Sequence, residues 1–323
     1  MVGRAAVGRT KGSEEADSDL QQNAPQGGGH GVGHVPVLLQ IAIDFLDVKR
    51  GGTYIDATVG LAGHSCEVAK LLGAPGHLIG FDKDPAALER ARVNLQPPPG
   101  REGDWPRVEL IHASFAEVEQ HVVGKIDGLL ADVGVSSLQL NDPERGFSFQ
   151  AEGPLDMRMN PQSERTAEQV VNHMGEKELA DVIYEFGEER RSRRIARAIV
   201  RARPIRSTAH LAEVVSAAAR TMKSHGIHPA TLTFQGIRIF VNRELDDLRE
   251  LLGAAPRLLK PGGRVVVISF HSLEDRIVKD ALRDGNKAGV YSVLTKKPVT
   301  ATNEEVYRNP RSRSAKLRAA ERV

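Results

Sequence analysis

The stretch Thr53-Tyr54-Ile55-Asp56-Ala57-Thr58-Val59-Gly60-Leu61-Ala62-Gly63-His64 decides how the rest of the chain is read. Thr53–Ala57 reads as a strand and His64–Leu72 as a helix, with Gly60-x-x-Gly63 in the loop between them. A glycine loop at that junction lets backbone approach a ligand at the carboxyl edge of a parallel sheet. The spacing is not that of the three-glycine dinucleotide fingerprint. Taken alone, a tight strand-to-helix turn accounts for it equally well.

Outward from this unit the strands continue. His77–Phe81 is the second and is closed by Asp82; Val108–His112 is the third, Ile126–Val133 the fourth and Arg264–Phe270 the fifth. Asp84-Pro85 is a helix start, with Asp as N-cap and Pro at the first helical position. Strands alternating with helices predict an α/β fold with a parallel, doubly wound sheet. Between strands four and five the alternation stops, and Arg165–Leu252 reads almost wholly as helix. Leu179, Val182, Ile183 and Phe186 form one apolar stripe and Ile195, Ala198, Ile199 and Ala202 a second. A single long helix is expected to carry Phe234, Ile237, Val241, Leu245, Leu248 and Leu252. The predicted organisation is a disordered tail over 1–33, a discontinuous sheet domain over 34–140 and 231–323, and an inserted all-helical domain over 141–230.

The chain has 323 residues, 40% of them apolar and 27% charged, with 44 Lys plus Arg against 42 Asp plus Glu. These values suit a globular protein, and net charge alone does not indicate nucleic acid. One cysteine, Cys66, rules out a disulfide framework or a cysteine-based zinc site. No apolar run approaches the ~18 residues of a membrane span. The tail lacks a signal-peptide core, and Glu14, Glu15, Asp17 and Asp19 speak against a mitochondrial presequence. A soluble protein of a reducing compartment is expected.

Several residues are expected at the ligand edge. Asp82 ends strand two, 26 residues after Asp56, where an acid accepts bonds from ribose hydroxyls. Asp84 already fills the capping role, which leaves Asp82 without an obvious structural one. Phe115 follows strand three, either flanking an adenine or filling core. Asp132 ends strand four at the same edge. The turn Leu259–Gly263 before strand five resembles that of Rossmann-like S-adenosylmethionine-dependent methyltransferases.

Taken in order, Asp56–Ser65, Asp132–Leu140, Glu144–Met159, Gly187–Val200, His228–Leu245, Ser269–Lys279 and Asn309–Arg318 resemble the bacterial ribosomal RNA small subunit methyltransferase H family, also called MraW. The runs GPLDMRM and SFHSLEDRIVK are the most specific, and the match covers about 34 to 323. The resemblance implies a class I methyltransferase sheet with a helical insert. It implies methylation of N4 of a cytosine in the decoding region of 16S rRNA, with the small ribosomal subunit as partner and a homodimer left open. It implies S-adenosylmethionine contacts from Ala62, Gly63, His64, Asp82, Phe115, Asp132 and Gln139. The family usually has Gly where Ala62 stands, which is tolerable if that residue has ordinary backbone, and often a basic residue where Leu232 stands.

The implied reaction joins an exocyclic amine to a sulfonium methyl group. An acceptor bonded to an N4 hydrogen would take up the developing charge. Asp132 is placed for that role or for a cofactor role alone, because the Pro-Pro-aromatic clamp of DNA amino-methyltransferases is absent after it. His271 and Asp275, four apart after strand five, are the other catalytic candidates. They could hold the base or its phosphate, or the stretch could be a helix start capped by Ser272 with Asp275 completing a capping box. A Ser-His-Asp hydrolase lacks its nucleophile elbow here. No metal is expected.

Eight arginines fall within 190–206, with Arg190, Arg194, Arg197 and Arg201 on one helical face, and Val306–Ala320 holds five basic residues and no acid. Both read as phosphate-binding patches, unless the helix face is solvated and paired with Glu185, Glu188 and Glu189. Arg145, Asp156 and Arg158 are expected to tie the insert to the sheet. Two rival functions stand beside the family reading: the same fold acting on a protein or small molecule, and an RNA-binding assembly factor with a relic pocket.

Overall fold

The structure is a computed structural model and describes residues 36–219 and 228–323. The tail expected over 1–33 lies outside the described residues. From the first described helix, α1 (Leu39–Leu46), the chain enters β1 (Thr53–Asp56), α2 (Gly63–Leu72), β2 (His77–Asp82), α3 (Pro85–Asn94), β3 (Arg107–His112), α4 (Val118–His121), β4 (Ile126–Asp132) and α5 (Ser137–Asn141). A helical run follows: α6 (Ala167–His173), α7 (Glu176–Gly187), α8 (Ser192–Ala202), α9 (Thr208–Ala219), α10 (Thr231–Asn242) and α11 (Glu244–Leu258). The chain then returns as β5 (Leu259–Ser269), α12 (Ser272–Lys287), β6 (Tyr291–Val293), β7 (Val299–Thr300), α13 (Asn303–Arg308) and β8 (Lys316–Arg322).

The strands form one sheet in the order β3-β2-β1-β4-β5-β8-β6, with β7 pairing to β8. The first five are parallel, and β8 lies antiparallel to β5 and β6. Both faces of the parallel strands are covered, which is why their sequences are continuously apolar rather than alternating. One face packs Ile55, Phe81, Leu129 and Val265 against Leu248, Leu251 and Leu258 of α11. The other packs Tyr54, Leu78, Leu130 and Val266 against α1 and α2. The expected α/β doubly wound sheet is therefore present, and β1, paired on its two sides with β2 and β4, is where the winding reverses. Ligands of such sheets lie at the carboxyl ends of the strands flanking that point.

Three local expectations are corrected. Leu259–Gly263 is the first part of β5 rather than a free turn: Leu259 pairs with Ile126, and a register shift intervenes before Arg264 meets Gly128. Gly262, at φ 78°, supplies the left-handed residue of this irregularity. The single long helix is two helices. α10 stops where Arg243 turns left-handed at φ 55°, and Asn242 spends its side chain across the junction. Its Nδ2 donates to the Met157 carbonyl at 2.7 Å and its Oδ1 accepts from the Met159 amide at 2.7 Å. The apolar spacing runs on unbroken through this point because each helix keeps its own apolar stripe. The stripes face different cores: Phe234, Ile237 and Val241 pack with α6–α9, whereas Leu248 and Leu252 pack under the sheet. A boundary at 230 thus sits one helix too early for the packing.

The third correction concerns the basic C-terminal stretch. It is not a free patch but the approach to β8, an interior strand, with Leu317, Ala319 and Ala320 fully buried. Its Arg318 donates to both Asp275 oxygens, at 2.7 and 3.2 Å, and Lys316 lies 3.7 Å from the same carboxylate.

The helical layer depends on a close approach of α7 to α10. A Cβ at Gly187 would lie 2.4 Å from the Leu232 carbonyl oxygen, so any side chain there must push the helices apart. Gly187→Ala is expected to cost about 1–3 kcal/mol of stability, as overpacking does, read as a lower denaturant midpoint in urea titration. A Gly187→Ala protein with an unchanged midpoint would show that the two helices are free to separate.

Candidate active site

A cleft of about 370 Å³ opens at the carboxyl ends of β1, β2, β4 and β5, with α10 across from it. Gly63, His64, Asp82, Phe115, Asp132, Gln139 and His271 all line it. Residues scattered over two hundred positions of sequence are thereby brought together. Ala62 and Asp275 are not among the lining residues. Ala62 is fully buried in the core and holds left-handed backbone at φ 65°, ψ 25°. It is not in ordinary backbone, and for a residue with a Cβ that conformation costs roughly 1–2 kcal/mol. Asp275 is occupied on the far side of α12 by Arg318 and Lys316, which hold its carboxyl below the usual range against the opposing effect of burial.

Asp82 has the structural role that its sequence position hides. Its Oδ2 accepts from the Gly60 amide and its Oδ1 from the Asp84 amide, both at 2.8 Å. The carboxylate therefore ties the glycine loop to the end of β2. Burial, only partly offset by these two amides, raises its pKa to about 6. Asp56 accepts from the Ser65 hydroxyl at 2.6 Å and the Thr58 amide at 3.1 Å, and burial raises its pKa as well. Asp132 is the most perturbed of the three. Burial first, then the neighbouring Asp56 and Glu274 charges, push it well above the usual carboxylate range. Its Oδ1 is buried with no hydrogen-bond partner.

His64 is held neutral, its pKa lowered to about 4 by burial. Its Nε2 lies 3.0 Å from the Val37 carbonyl, which only accepts, so Nε2 carries the proton. The unprotonated Nδ1 then stands 3.8 Å from Asp132. Of the cations that line the cleft, Arg238 is bonded to Glu244 at 2.9 and 3.0 Å and Lys83 to Asp247 at 2.5 Å. The cleft is therefore built for a guest that brings positive charge and hydrogen-bond donors.

The start of α12 is capped differently from the expected Ser272/Asp275 pair. His271 is the N-cap, and Glu274 completes the box by accepting from the Phe270 and His271 amides at 2.8 and 3.3 Å. Burial acts to raise Glu274, but His271, the Phe270 amide and Arg238 outweigh it and leave its pKa lowered. Glu274 lines the cleft and was missed in sequence, although it stands inside the SFHSLED run between the two residues singled out there. Arg238, Gln235 and Lys83 also line the cleft. The first two belong to α10, whose apolar stripe drew attention to its opposite face.

Gln139 and Arg145 converge on Asp84, whose side chain is wholly buried. Its Oδ1 caps α3 by accepting from the Ala86 amide at 3.1 Å. Its Oδ2 accepts from Arg145 Nη1 at 2.7 Å and Gln139 Nε2 at 3.1 Å. Arg145 also donates to the Arg158 and Met159 carbonyls at 2.9 and 3.0 Å, so segment 142–159 is fastened to the sheet edge as the sequence suggested. Asp156 and Arg158 pair with each other instead.

The arginine face of α8 is exposed at Arg190, Arg193, Arg194, Arg197, Arg201 and Arg206. Arg191 and Arg203 turn inward, to the Ala219 carbonyl and to the Val171 and Met174 carbonyls. Two of the acids expected to neutralise this face are engaged elsewhere. Glu188 bonds Ser272 and Arg276 of α12, and Glu189 accepts from the Arg191 amide. Among the described residues no group of three or more His, Cys, Asp and Glu is placed to hold a metal, and no helix is long and apolar enough to cross a membrane.

Removing the Asp84 carboxylate would leave the Arg145 charge partly buried and unpaired, which costs about 3–5 kcal/mol in comparable pairs. Asp84→Ala is expected to lower stability on that scale and to speed amide hydrogen exchange over 142–159. Unchanged exchange in that segment would show that other contacts hold it.

Comparison with known proteins places this architecture. The model of the MraW methylase family matches residues 31–323. The "Ribosomal RNA small subunit methyltransferase H" of Koribacter versatilis is 68% identical over 311 residues, covering 94% of this chain and 99% of that protein. The protein of the same name from Acidobacterium capsulatum is 65% identical, covering 90% and 98%. A solved rRNA methylase from Streptococcus thermophilus is a looser likeness, 12% identical with a TM-score of 0.43 over 90% of this chain and 99% of that one. A match across the sheet strands, the cleft and the helical layer alike is a match of the whole fold, and the chain belongs to the MraW methylase family.

Proposed function

We propose that this protein methylates the N4 amino group of a cytosine in the decoding region of 16S rRNA, using S-adenosylmethionine, on the small ribosomal subunit in the bacterial cytoplasm. The observation that carries the reading is the carboxylate cluster of the cleft, where Asp82, Asp132 and Glu274 line one cavity. The names borne by the relatives from Koribacter and Acidobacterium supply the rRNA of the small subunit. The exposed arginines of and around α8, of which Arg197 bonds Glu176 at 3.3 Å, support a phosphate-rich partner.

The donor set fits the cofactor. S-adenosylmethionine, when bound, supplies an electrophilic methyl group on a sulfonium, together with an ammonium and a ribose diol. Asp82 keeps lone pairs facing the cleft beyond the two amides it already accepts from, which suits ribose hydroxyls. Gly60 and Gly63 would let the loop backbone close on the group, and Phe115, which packs against the sheet core and lines the cleft, would flank the adenine. The positive charge relieves the mutual repulsion of Asp56, Asp132 and Glu274.

S-adenosylmethionine would supply the methyl group released from its sulfur, and the cytosine N4 that takes it up must lose one proton. Asp132, on the lining of the cleft, would accept that proton. Its raised pKa makes it a stronger base than an ordinary carboxylate. His64 is neutral and spends its Nε2 proton on the Val37 carbonyl, so it adds no charge beside Asp132, and Glu274 accepts from the amide of His271 on the cleft lining. Much of the acceleration comes from holding amine and methyl donor at near-attack distance.

The reading is tested by methyl transfer from labelled S-adenosylmethionine to small subunits lacking the modification, beside naked 16S rRNA, with nucleoside analysis. Label on N4-methylcytidine is expected. No label despite measured cofactor binding would move the substrate to a protein or small molecule, and no cofactor binding would leave an assembly factor. Asp132→Asn is expected to lower the transfer rate by about 10²–10⁴-fold, well beyond its loss of cofactor affinity by calorimetry. An equal loss in affinity would assign Asp132 to the cofactor alone.

Asp82 gives a pH dependence with a definite sign. Ribose donors favour its charged form, so binding lowers its pKa and releases a proton. Cofactor affinity is therefore expected to rise as pH increases through about 6 and then level off. Calorimetry in buffers of different ionisation enthalpy near that pH should register the proton, and Asp82→Asn should abolish it. A flat profile would remove Asp82 from the ribose site.

A further inference from the structure

A second cavity, of about 390 Å³, lies beside the turn between α10 and α11, away from the residues that line the catalytic cleft. Arg165, Phe186, Phe240 and Arg243 form its walls, with Asp246 at one side. The Arg165 guanidinium sits 4.5 Å over the Phe240 ring, and the Phe186 and Phe240 centroids are 5.9 Å apart. Stacking on a ring leaves the guanidinium plane and most of its N–H donors open. Its one hydrogen bond among the described residues goes to the Phe240 carbonyl at 3.3 Å. Asp246 does not neutralise the pocket, because it bonds Arg249 at 2.9 Å. Among the described residues Arg243 pairs only with Glu250, at 3.8 Å, and its left-handed backbone turns it out of the helix line.

Planar cationic and aromatic surfaces beside a free guanidinium are what an unpaired nucleotide requires: a stacking platform for the base and a charge for the phosphate. The volume falls in the range of small-molecule sites. The position is also suited to RNA, because α10 lends Gln235 and Arg238 to the catalytic cleft and Phe240 to this cavity. From Arg238 to Phe240 the rise along the helix is only about 3 Å. Residues two apart lie on different sides of a helix, so an RNA strand that reaches both would pass around α10.

We propose that this pocket is a second RNA subsite, which takes one unpaired nucleotide near the target cytosine, with its base stacked on the Arg165–Phe240 platform and its phosphate on Arg243. The proposal rests on the rRNA reading above and adds to it the place where the substrate strand is gripped.

The test uses the full-length protein and a fluorescein-labelled single-stranded oligoribonucleotide, with anisotropy measured in the absence of cofactor. Arg165→Ala is expected to weaken binding about tenfold, on the scale of one lost stacking partner. Arg165→Lys, which keeps the charge but not the plane, should recover only part of it. Arg243→Gly keeps the left-handed backbone and should lower the salt dependence of binding. Cofactor affinity by calorimetry and the thermal midpoint should match wild type in all three. With small subunits as substrate, Arg165→Ala should raise KM and leave kcat nearly unchanged. If wild type methylates small subunits and Arg165→Ala matches it in both KM and oligonucleotide affinity, the subsite is refuted and the catalytic reading stands. If wild type transfers no methyl to rRNA while Arg165→Ala still loses the oligonucleotide, the catalytic reading fails and the subsite stands.

Discussion

The buried carboxylate of Asp84 is the interaction on which the arrangement of this protein depends. A single side chain, fully withdrawn from water, caps α3 and holds Gln139 and Arg145 at once. Through the Arg145 guanidinium it reaches the carbonyls of Arg158 and Met159, and the Met159 amide in turn reaches Asn242 at the end of α10. The edge of the sheet, the segment after β4 and the helical layer thus meet through one chain of buried polar contacts. Such a network is stiff when every member is satisfied and costly when one is missing. That fits its place here, under a cleft whose geometry must be held to fractions of an ångström.

Above that network the cleft is electrostatically incomplete. Asp56, Asp82 and Asp132 each have a pKa raised by burial, so folding without a guest works against their charged forms. A group whose folded pKa exceeds its unfolded value favours the fold at low pH and loses that contribution as pH rises through the folded value. For Asp82 this places the loss between about 4 and about 6. At neutral pH these acids oppose the fold, and a cationic ligand offsets that cost. Binding energy and charge balance therefore act together, and selectivity for a positively charged methyl donor follows from the protein's own unpaired acids.

Much of this was legible in sequence. Strand–loop–helix alternation around Gly60 and Gly63, acids at the ends of β2 and β4, and the Asp84-Pro85 helix start are local signals, and local signals survive without a structure. The arginine face of α8 was legible for the same reason, since its period is that of one helix. The misreadings have a common cause. Ala62 looks ordinary because backbone handedness leaves no mark on a residue's name. The two helices at Arg243 look like one because the apolar period runs through the break. The basic C-terminal stretch looks like a phosphate patch because nothing in its own composition shows that Asp275, more than forty residues earlier, is waiting for Arg318.

The sequence by itself therefore determined the class of fold, the edge at which a ligand binds and several of the residues that line the site. The fold and the edge follow from periodicity, from turn chemistry and from the placement of acids at strand ends, whereas His64 and Gln139 were implied only by the family resemblance. Only the tertiary structure decided which charges are spent and which are free. Arg318, Arg238 and Asp84 are consumed in buried pairs, Asp275 is turned away from the cleft, and Glu274 is brought into it. Asp132 keeps one oxygen without a partner. The reason is physical: a charge acquires its role from what lies within a few ångströms of it, and most of these neighbours are separated by tens to more than a hundred residues of chain.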